Sequence, residues 1–527
     1  MRGIGMGISR TLGLMLAVAS ALVIAPSAVA ERLLKVGIVQ RFGEADTDVL
    51  ELVAPNGSLS LTFEQGGEAV SLQVNTAVLE LAAQPLPEPQ LFERLVLGDY
   101  ATFETAEAGA REWEARGIDV EVAQPGRWQV WAQRDVYSTP LVRRQLLKNL
   151  RDRGYDLPFM ISEVQQSVPQ VVLAVGADRY LPEQLTVTGA GDRVRVRANA
   201  EDAYTYVGSL HLQPDAYGSF ALVNRVSLED YLRGVVPYEI APGAPAAAIA
   251  AQAIVARTYA MRNLRRFAAD DYELCATVHC QVYRGVRVAR GQTDRAIAST
   301  SNLVLTYDSE LVDALYSSTT GGITAPFSDI WDGDPRPYLR AVIDAPGQVW
   351  DLQQLPLSDE QTFRKFLSLQ QGFNESGTSA FRWRRQSSLD ELAGDLRRYL
   401  DRSGHPKANF ARLKTLEIVE RSPSGRILQL DALTDLGIAA LRKNEVRSAF
   451  GPPRSTLFYL EPLTDSSGAL SGYTFVGGGF GHGAGLSQYG SYNLARLGWS
   501  PERILAFYYP GTKIRPLDES VVLYGGD

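Results

Sequence analysis

The 527-residue chain is poor in cysteine and histidine, with two of the first and four of the second. Two cysteines allow at most one internal disulfide, so a disulfide-built scaffold is excluded. There is no low-complexity tract and no sustained heptad repeat, which removes disordered and coiled-coil classes. Beyond the N-terminus no stretch approaches 18 unbroken apolar residues, so no further membrane span is expected. An excess of positive charge is also missing: the net charge is −8. Binding to nucleic acid needs a concentrated basic surface, so no nucleic acid is expected as main ligand. A neutral glycan is untouched by that argument. What is present is an ordinary folded composition, 45% hydrophobic and 21% charged. The length calls for two or three domains.

The first 30 residues have the three parts of an export signal. Arg2 and Arg10 supply charge, Thr11 to Ile24 is almost wholly apolar, and Ala28-Val29-Ala30 ends in Ala-x-Ala form. Cleavage after Ala30 is expected; an uncleaved anchor is the alternative, and only then does the chain touch a membrane. Either way the body is exported: periplasmic, wall-associated or extracellular.

The expected architecture is α+β and multi-domain. Residues 31–90 read as a β-rich segment, with strands at Leu33 to Gln40, 49–53 and 59–64, closed by a proline-rich linker over 82–90. Residues 91–200 read as an α+β module. Ala106 to Arg116 is helix-like and stops at Gly117; Thr139 to Arg153 is helix-like and stops at Gly154-Tyr155. Strand-like runs follow the first helix and precede the second, Trp128 to Ala132 among them. This element order, with Gln129-Val130 before a helix ending in Arg-Gly-Tyr, resembles the SPOR family of glycan-binding modules. Residues 201–527 read as the catalytic region.

Four motif blocks carry the chemistry. The first is Leu228-Glu-Asp-Tyr-Leu-Arg-Gly-Val-Val-Pro-Tyr-Glu239-Ile, followed by an alanine-rich run from Pro245 to Arg266. Glu239 is expected in a tight, proline-flanked segment just ahead of a buried helix. Ile249, Ala253, Ala256, Ala260 and Leu264 mark one stripe of that helix, with Gln252, Arg257 and Thr258 off it. A carboxyl among apolar neighbours loses solvation and its pKa rises, as a general acid requires. The second block is Cys275-Ala-Thr-Val-His279-Cys280-Gln281-Val-Tyr283. Cys275, His279 and Cys280 could hold a structural zinc, or the two cysteines could close a disulfide. The third block runs from Tyr316 to Thr324, with Ser317, Ser318, Gly321, Gly322 and Thr324 forming a loop a ligand can approach, and Trp331 beyond it as a ring for a sugar face. The fourth is Gly477-Gly-Gly-Phe-Gly-His482-Gly-Ala-Gly-Leu-Ser487-Gln488-Tyr-Gly490.

In fixed order from about Val226 to Thr512, these blocks resemble the SpoIID/LytB family, whose members are lytic transglycosylases or were described as amidase enhancers. The resemblance implies that Glu239 is the catalytic acid, with Gln281, Tyr283, Ser317, Ser318, Gly321, Gly322, Thr324, His482, Ser487 and Gln488 around the substrate. It implies a Cys/His zinc site, although the histidine that family members carry upstream of the first Cys is missing here. Asp270, Asp271 or water would have to replace it. The implied reaction splits the bond between N-acetylmuramic acid (MurNAc) and N-acetylglucosamine (GlcNAc), leaving a 1,6-anhydro end. The implied partners are peptidoglycan strands and a cell-wall amidase. One alternative is a glycan-binding activator of N-acetylmuramoyl-L-alanine amidase. Another is a hydrolase using Asp329 or Asp332 as a second carboxylate.

Overall fold

The computed structural model describes residues 1, 3, 32–45, 47–199, 201–241, 243–286 and 291–524. The expected signal segment, Met1 and Gly3 apart, lies outside these. Strands β1 (Leu33–Phe42), β2 (Leu50–Val53), β3 (Leu59–Gln65) and β4 (Glu68–Val74) lead into the long β5 (Thr76–Tyr100). Helix α1 (Phe103–Glu114), strands β6 (Val120–Ala123) and β7 (Trp128–Ala132), helix α2 (Pro140–Asp152) and strand β8 (Phe159–Val175) follow. Then come β9 (Asp178–Tyr180), β10 (Leu185–Gly189), β11 (Arg193–Ala198), β12 (Tyr204–Val207), β13 (Ser209–Pro214) and β14 (Phe220–Ser227). Helices α3 (Leu228–Glu239) and α4 (Ala246–Arg262) precede the short β15 (Leu274–Cys275). The architecture is mixed α+β.

One seven-stranded sheet has the order β15-β1-β14-β13-β10-β3-β4. Alternation decides which face is buried: Leu59, Leu61 and Phe63 point inward while Thr62 and Glu64 face solvent. β1 pairs antiparallel with β14 and parallel with β15. Strand β1 is therefore built into the sheet that carries the motif region, and the boundary expected near residue 200 falls inside this layer.

The second sheet runs β12-β11-β2-β5-β7-β6, with β8 alongside β5. The linker expected over 82–90 is strand instead. β5 continues through it with one register shift between Pro85 and Gln90. β2 pairs only Thr76 to Leu79, and β7 only Val96 to Tyr100. Between them β5 has a neighbour on one side alone. Pro85, Pro87 and Pro89 fall at this irregular stretch, where fewer ladder hydrogen bonds need their missing N–H groups. The chain from β5 to β8 is a β-α-β-β-α-β unit with strand order β8-β5-β7-β6. Thr102 caps α1 in a reciprocal box with Thr105, and Thr139 followed by Pro140 starts α2. Leu95, Leu97 and Val130 pack under Phe103, Ala110, Leu147 and Leu150. The opposite face is covered at Val96 and Trp131 by Ala216, Tyr217 and Ala269. Ion pairs of Arg265 with Glu107 and Arg266 with Glu104 tie α1 to the chain just past α4.

α4 is buried all round, which is why its apolar residues show little one-sidedness. Both the predicted stripe and the off-stripe Gln252, Arg257 and Thr258 are inside. Arg257 is neutralised by a bidentate pair with Glu229, at 2.8 Å for each nitrogen. The C-terminal half adds a separate cluster in which the helix Leu389–Arg402 covers strands Leu413–Arg421, Ile427–Thr434 and Gly437–Arg442.

Candidate active site

Glu239 is the last residue of α3, not part of an extended segment; Ser227 caps the helix and Pro237 sits in its final turn. Glu239 is half-buried. Its Oε1 accepts the Val282 amide at 2.8 Å, and the Tyr316 hydroxyl also donates to its carboxyl. Burial raises its pKa above the ordinary carboxylate value, and these two hydrogen bonds pull only partly against that. The acid form is thus favoured without the carboxylate being left bare.

Residues of all four motif blocks meet here. Gln281 is fully buried; it accepts from the Tyr231 hydroxyl at 3.3 Å and donates to the Tyr316 oxygen at 3.3 Å. It therefore fixes the tyrosine that serves Glu239. Gln488 donates its side-chain amide to the Glu239 carbonyl at 2.5 Å and holds the end of α3. His482 is half-buried, with Nδ1 accepting the Ala484 amide at 3.0 Å and the ring bonded to the Tyr316 backbone. With Nδ1 an acceptor, the proton sits on Nε2. Burial, Arg447 and Arg426 push the His482 pKa down to about 3, so the ring is neutral at physiological pH. Its role in this geometry is to place Tyr316. Trp331 is half-buried and packs against the His482 ring at 5.1 Å and against Phe327.

Several expected substrate contacts lie elsewhere. Tyr283 is 1% exposed, donates to Asn224 at 2.6 Å and packs on Tyr231 and Tyr206; it is core. Thr324 is tied to the backbone of Arg340 and Val342. Gly321 and Gly322 have positive φ and are buried, and a Cβ on Gly321 would fall 2.6 Å from the Gly478 backbone. Glycine here serves backbone-on-backbone packing rather than ligand approach. The loop's donors are already used. Fully buried Glu375 accepts from the amides of Thr320, Gly321 and Gly322, the Thr320 hydroxyl at 2.9 Å and the Ser487 hydroxyl at 2.6 Å. Ser487 also caps the helix Gln488–Arg496. Beside Glu375 lies Asp344, bonded to Asn374 and Tyr508 at 2.8 Å each. Burial and the Glu375 charge drive the Asp344 pKa well up, so it is the protonated member of the pair. Neither acid belongs to a recognisable motif, and only the fold brings them together. Ser317 is buried with its hydroxyl unpartnered among the described residues, while Ser318 is half-buried.

The zinc reading does not survive. Cys275 and Cys280 form a disulfide, and sulfurs bonded to each other offer no thiolate to a metal. His279 is exposed. Asp270, considered as a further ligand, instead accepts the Ala216 amide at 3.0 Å. Among the described residues no group of three or more His, Cys, Asp and Glu is placed to hold a metal ion. The proposed second carboxylates are engaged as well: Asp329 accepts from Ser424 at 2.6 Å and Asp332 pairs with Lys443 at 2.5 Å.

The site is thus a raised carboxyl at the end of α3, braced by a Gln–Tyr pair and backed by an alanine-rich buried helix. Residues 216–307 match the family model described as Stage II sporulation protein, and residues 325–485 match a domain of unknown function (DUF8618). By that match and by its relatives the chain is similar to the SpoIID family. It is similar to the Amidase enhancer of Bacillus subtilis (strain 168), with 27% identity over 425 residues, 72% of this chain and 56% of that protein. It is 27% identical over 313 residues to Stage II sporulation protein D of the same organism, covering 56% of this chain and 76% of that one. An uncharacterised protein of Brachyspira hyodysenteriae is 25% identical over 312 residues, 59% of this chain and 72% of its own. The chain thus spans little more than half the length of the amidase enhancer. No helix among the described residues is long and apolar enough to cross a membrane.

Proposed function

We propose that the chain is an exported lytic transglycosylase of peptidoglycan with Glu239 as its one acid and base. The observation that carries this reading is a carboxyl with a raised pKa, held by Val282 and Tyr316, with no second carboxylate bonded into the cluster among the described residues. Hydrolysis by the usual route needs two carboxyl groups. An intramolecular route needs one. The Glu239 carboxyl gives its proton to the glycosidic oxygen as the MurNAc C1–O bond breaks. The C6 hydroxyl of that MurNAc attacks its C1, and the Glu239 carboxylate takes the hydroxyl proton. The acid is restored and the product carries a 1,6-anhydro ring. Burial supports the first half-reaction; the two hydrogen bonds support the second, because they steady the anion.

The β-α-β-β-α-β unit supports a SPOR-like, glycan-holding reading for residues within 91–200. Val96 and Trp131 are covered, and beside them on strand β8 Phe159, the cross-strand partner of Val96, and Ile161 are exposed. A second reading, activation of a wall amidase, is favoured by the name of one relative, Amidase enhancer. Purified protein alone on purified glycan, read by mass spectrometry, separates the two. Anhydro ends from the protein alone support the transglycosylase. Release only when an amidase is added supports the activator and rejects the enzyme.

A further inference from the structure

Next to the Gly-rich block lies a cavity of about 440 Å³ that the proposed reaction leaves unused. Arg385, Arg447 and Arg454 line it together with Phe450 and Phe480. No Asp or Glu lines it, although the chain as a whole is acidic. The nearby acids are already engaged: Asp395, behind the wall, accepts the Gly451 amide at 2.8 Å and pairs with Arg398, and Glu461 pairs with Arg384. Arg447 is half-buried and makes no ion pair among the described residues; burial alone lowers its pKa. A partly buried guanidinium without an anionic partner is suited to take one. Phe480 is 49% exposed, an apolar ring left open beside these cations, with the Arg454 guanidinium 5.6 Å from its centroid. An aromatic face with flanking arginines suits a ligand that is part sugar ring and part anion.

The cavity is joined to the Glu239 cluster by backbone. Phe480 exchanges hydrogen bonds with Thr319, and the Gly481 amide donates to the Arg454 carbonyl at 3.0 Å. The next residue is His482, which feels the Arg447 charge and bonds to the Tyr316 backbone. The pocket is thus tied through backbone to the histidine that places Tyr316, the residue that serves Glu239.

We propose that this cavity is a subsite for a carboxylate carried by a saccharide strand, with Arg447 and Arg454 meeting the anion and Phe480 meeting the ring. This rests on the wall-glycan reading above. In peptidoglycan that carboxylate has two sources: the lactyl group of a peptide-free MurNAc, or the stem peptide attached there.

The test uses the full chain carrying Glu239→Gln, so that bound sugar is not turned over. Dissociation constants are measured by calorimetry for chitotetraose, for the peptide-free GlcNAc–MurNAc tetrasaccharide, and for the same tetrasaccharide bearing stem peptides. The acidic tetrasaccharide is expected to bind at least about ten-fold tighter than chitotetraose, a difference of about 1.4 kcal/mol. Arg447→Met and Arg454→Gln should each remove most of that advantage and leave chitotetraose binding alone. Arg385→Gln, at an exposed position, gives a third variant should a half-buried one fold poorly. Tighter binding of the peptide-free sugar assigns the lactyl source; tighter binding of the peptide-bearing one assigns the stem peptide. Equal binding of neutral and acidic sugars, or an advantage that survives all three substitutions, overturns the subsite while leaving the wall-glycan reading standing. Absence of binding to every sugar, with no anhydro product from the unsubstituted protein, overturns both.

Discussion

Replacing Glu375 by glutamine should be far more damaging than replacing its neighbour Asp344 by asparagine, although each change removes one buried acid. The two Glu375 oxygens serve three backbone amides and two hydroxyls. A carboxamide keeps one acceptor oxygen and puts an NH2 where the other was. If the oxygen stays with Thr320 and Ser487, the amides of Gly321 and Gly322 face donors; the reverse orientation strands Thr320 and Ser487. Each buried donor left without an acceptor costs about 1–3 kcal/mol, so two of them give a loss of about 3 kcal/mol or more. Asp344 differs because its raised pKa makes it a neutral acid already. Asparagine copies that shape: an oxygen for Asn374 and Tyr508 and an N–H where the acid proton points. Its cost should stay below about 1 kcal/mol. The pH dependence follows from the same shift. A carboxyl whose folded pKa is raised stabilises fully below the unfolded value of about 3.9, and that stability drains away as pH rises toward the folded pKa. The slope is at most about 1.4 kcal/mol per pH unit for one proton. Asp344→Asn should flatten that slope. Urea unfolding of both variants between pH 4 and 8 checks this. If Glu375→Gln unfolds at the wild-type midpoint, or Asp344→Asn loses as much as Glu375→Gln, the assignment of the carboxylate and the acid is wrong.

Three shorter expectations accompany it. Tyr316→Phe removes a hydrogen bond that holds the Glu239 pKa down, so the high-pH fall of kcat/KM should move to higher pH, while an unmoved limb would mean that this limb is not set by Glu239. Cys275→Ser with Cys280→Ser opens a loop of six residues; the loop-entropy relation gives a loss of about 2 kcal/mol in denaturant unfolding, and no loss would show that the bridge contributes nothing. Gln252 is 0% exposed with neither amide atom partnered, so Gln252→Met should gain about 1 kcal/mol of stability; a loss would reveal a partner such as a buried water.

How far the site was readable from sequence varies by residue. Glu239, Gln281, His482 and Gln488 stand in motif blocks whose order resembles a family, and the fold does bring those blocks to one place. Tyr283 stands in the same motif and is core, because a large ring between Tyr231, Tyr206 and Gly234 is what the packing of α3 requires. Glu375 and Asp344 have no local signal. Their partners arrive from sequence separations of 24 to 164 residues, so only tertiary structure reveals the loop's dependence on them. The run over 82–90 reads as a linker because of its prolines; it is strand because one edge of β5 is free there, and edges are not visible in composition. The disulfide and the zinc were equally compatible with Cys275-x-x-x-His279-Cys280, and the choice between them depended on sulfur-to-sulfur placement alone.

The central claim is that one carboxyl both gives and takes the proton. Glu239→Gln keeps the Val282 contact through its amide oxygen and removes only the titrating group, so the fold should be retained. The decisive measurement is the yield of 1,6-anhydro ends from purified peptide-free glycan, wild type against Glu239→Gln, with melting curves alongside. The account predicts anhydro product from the wild type, and a fall of at least about 100-fold in the variant at unchanged stability. Undiminished anhydro release by Glu239→Gln would contradict it.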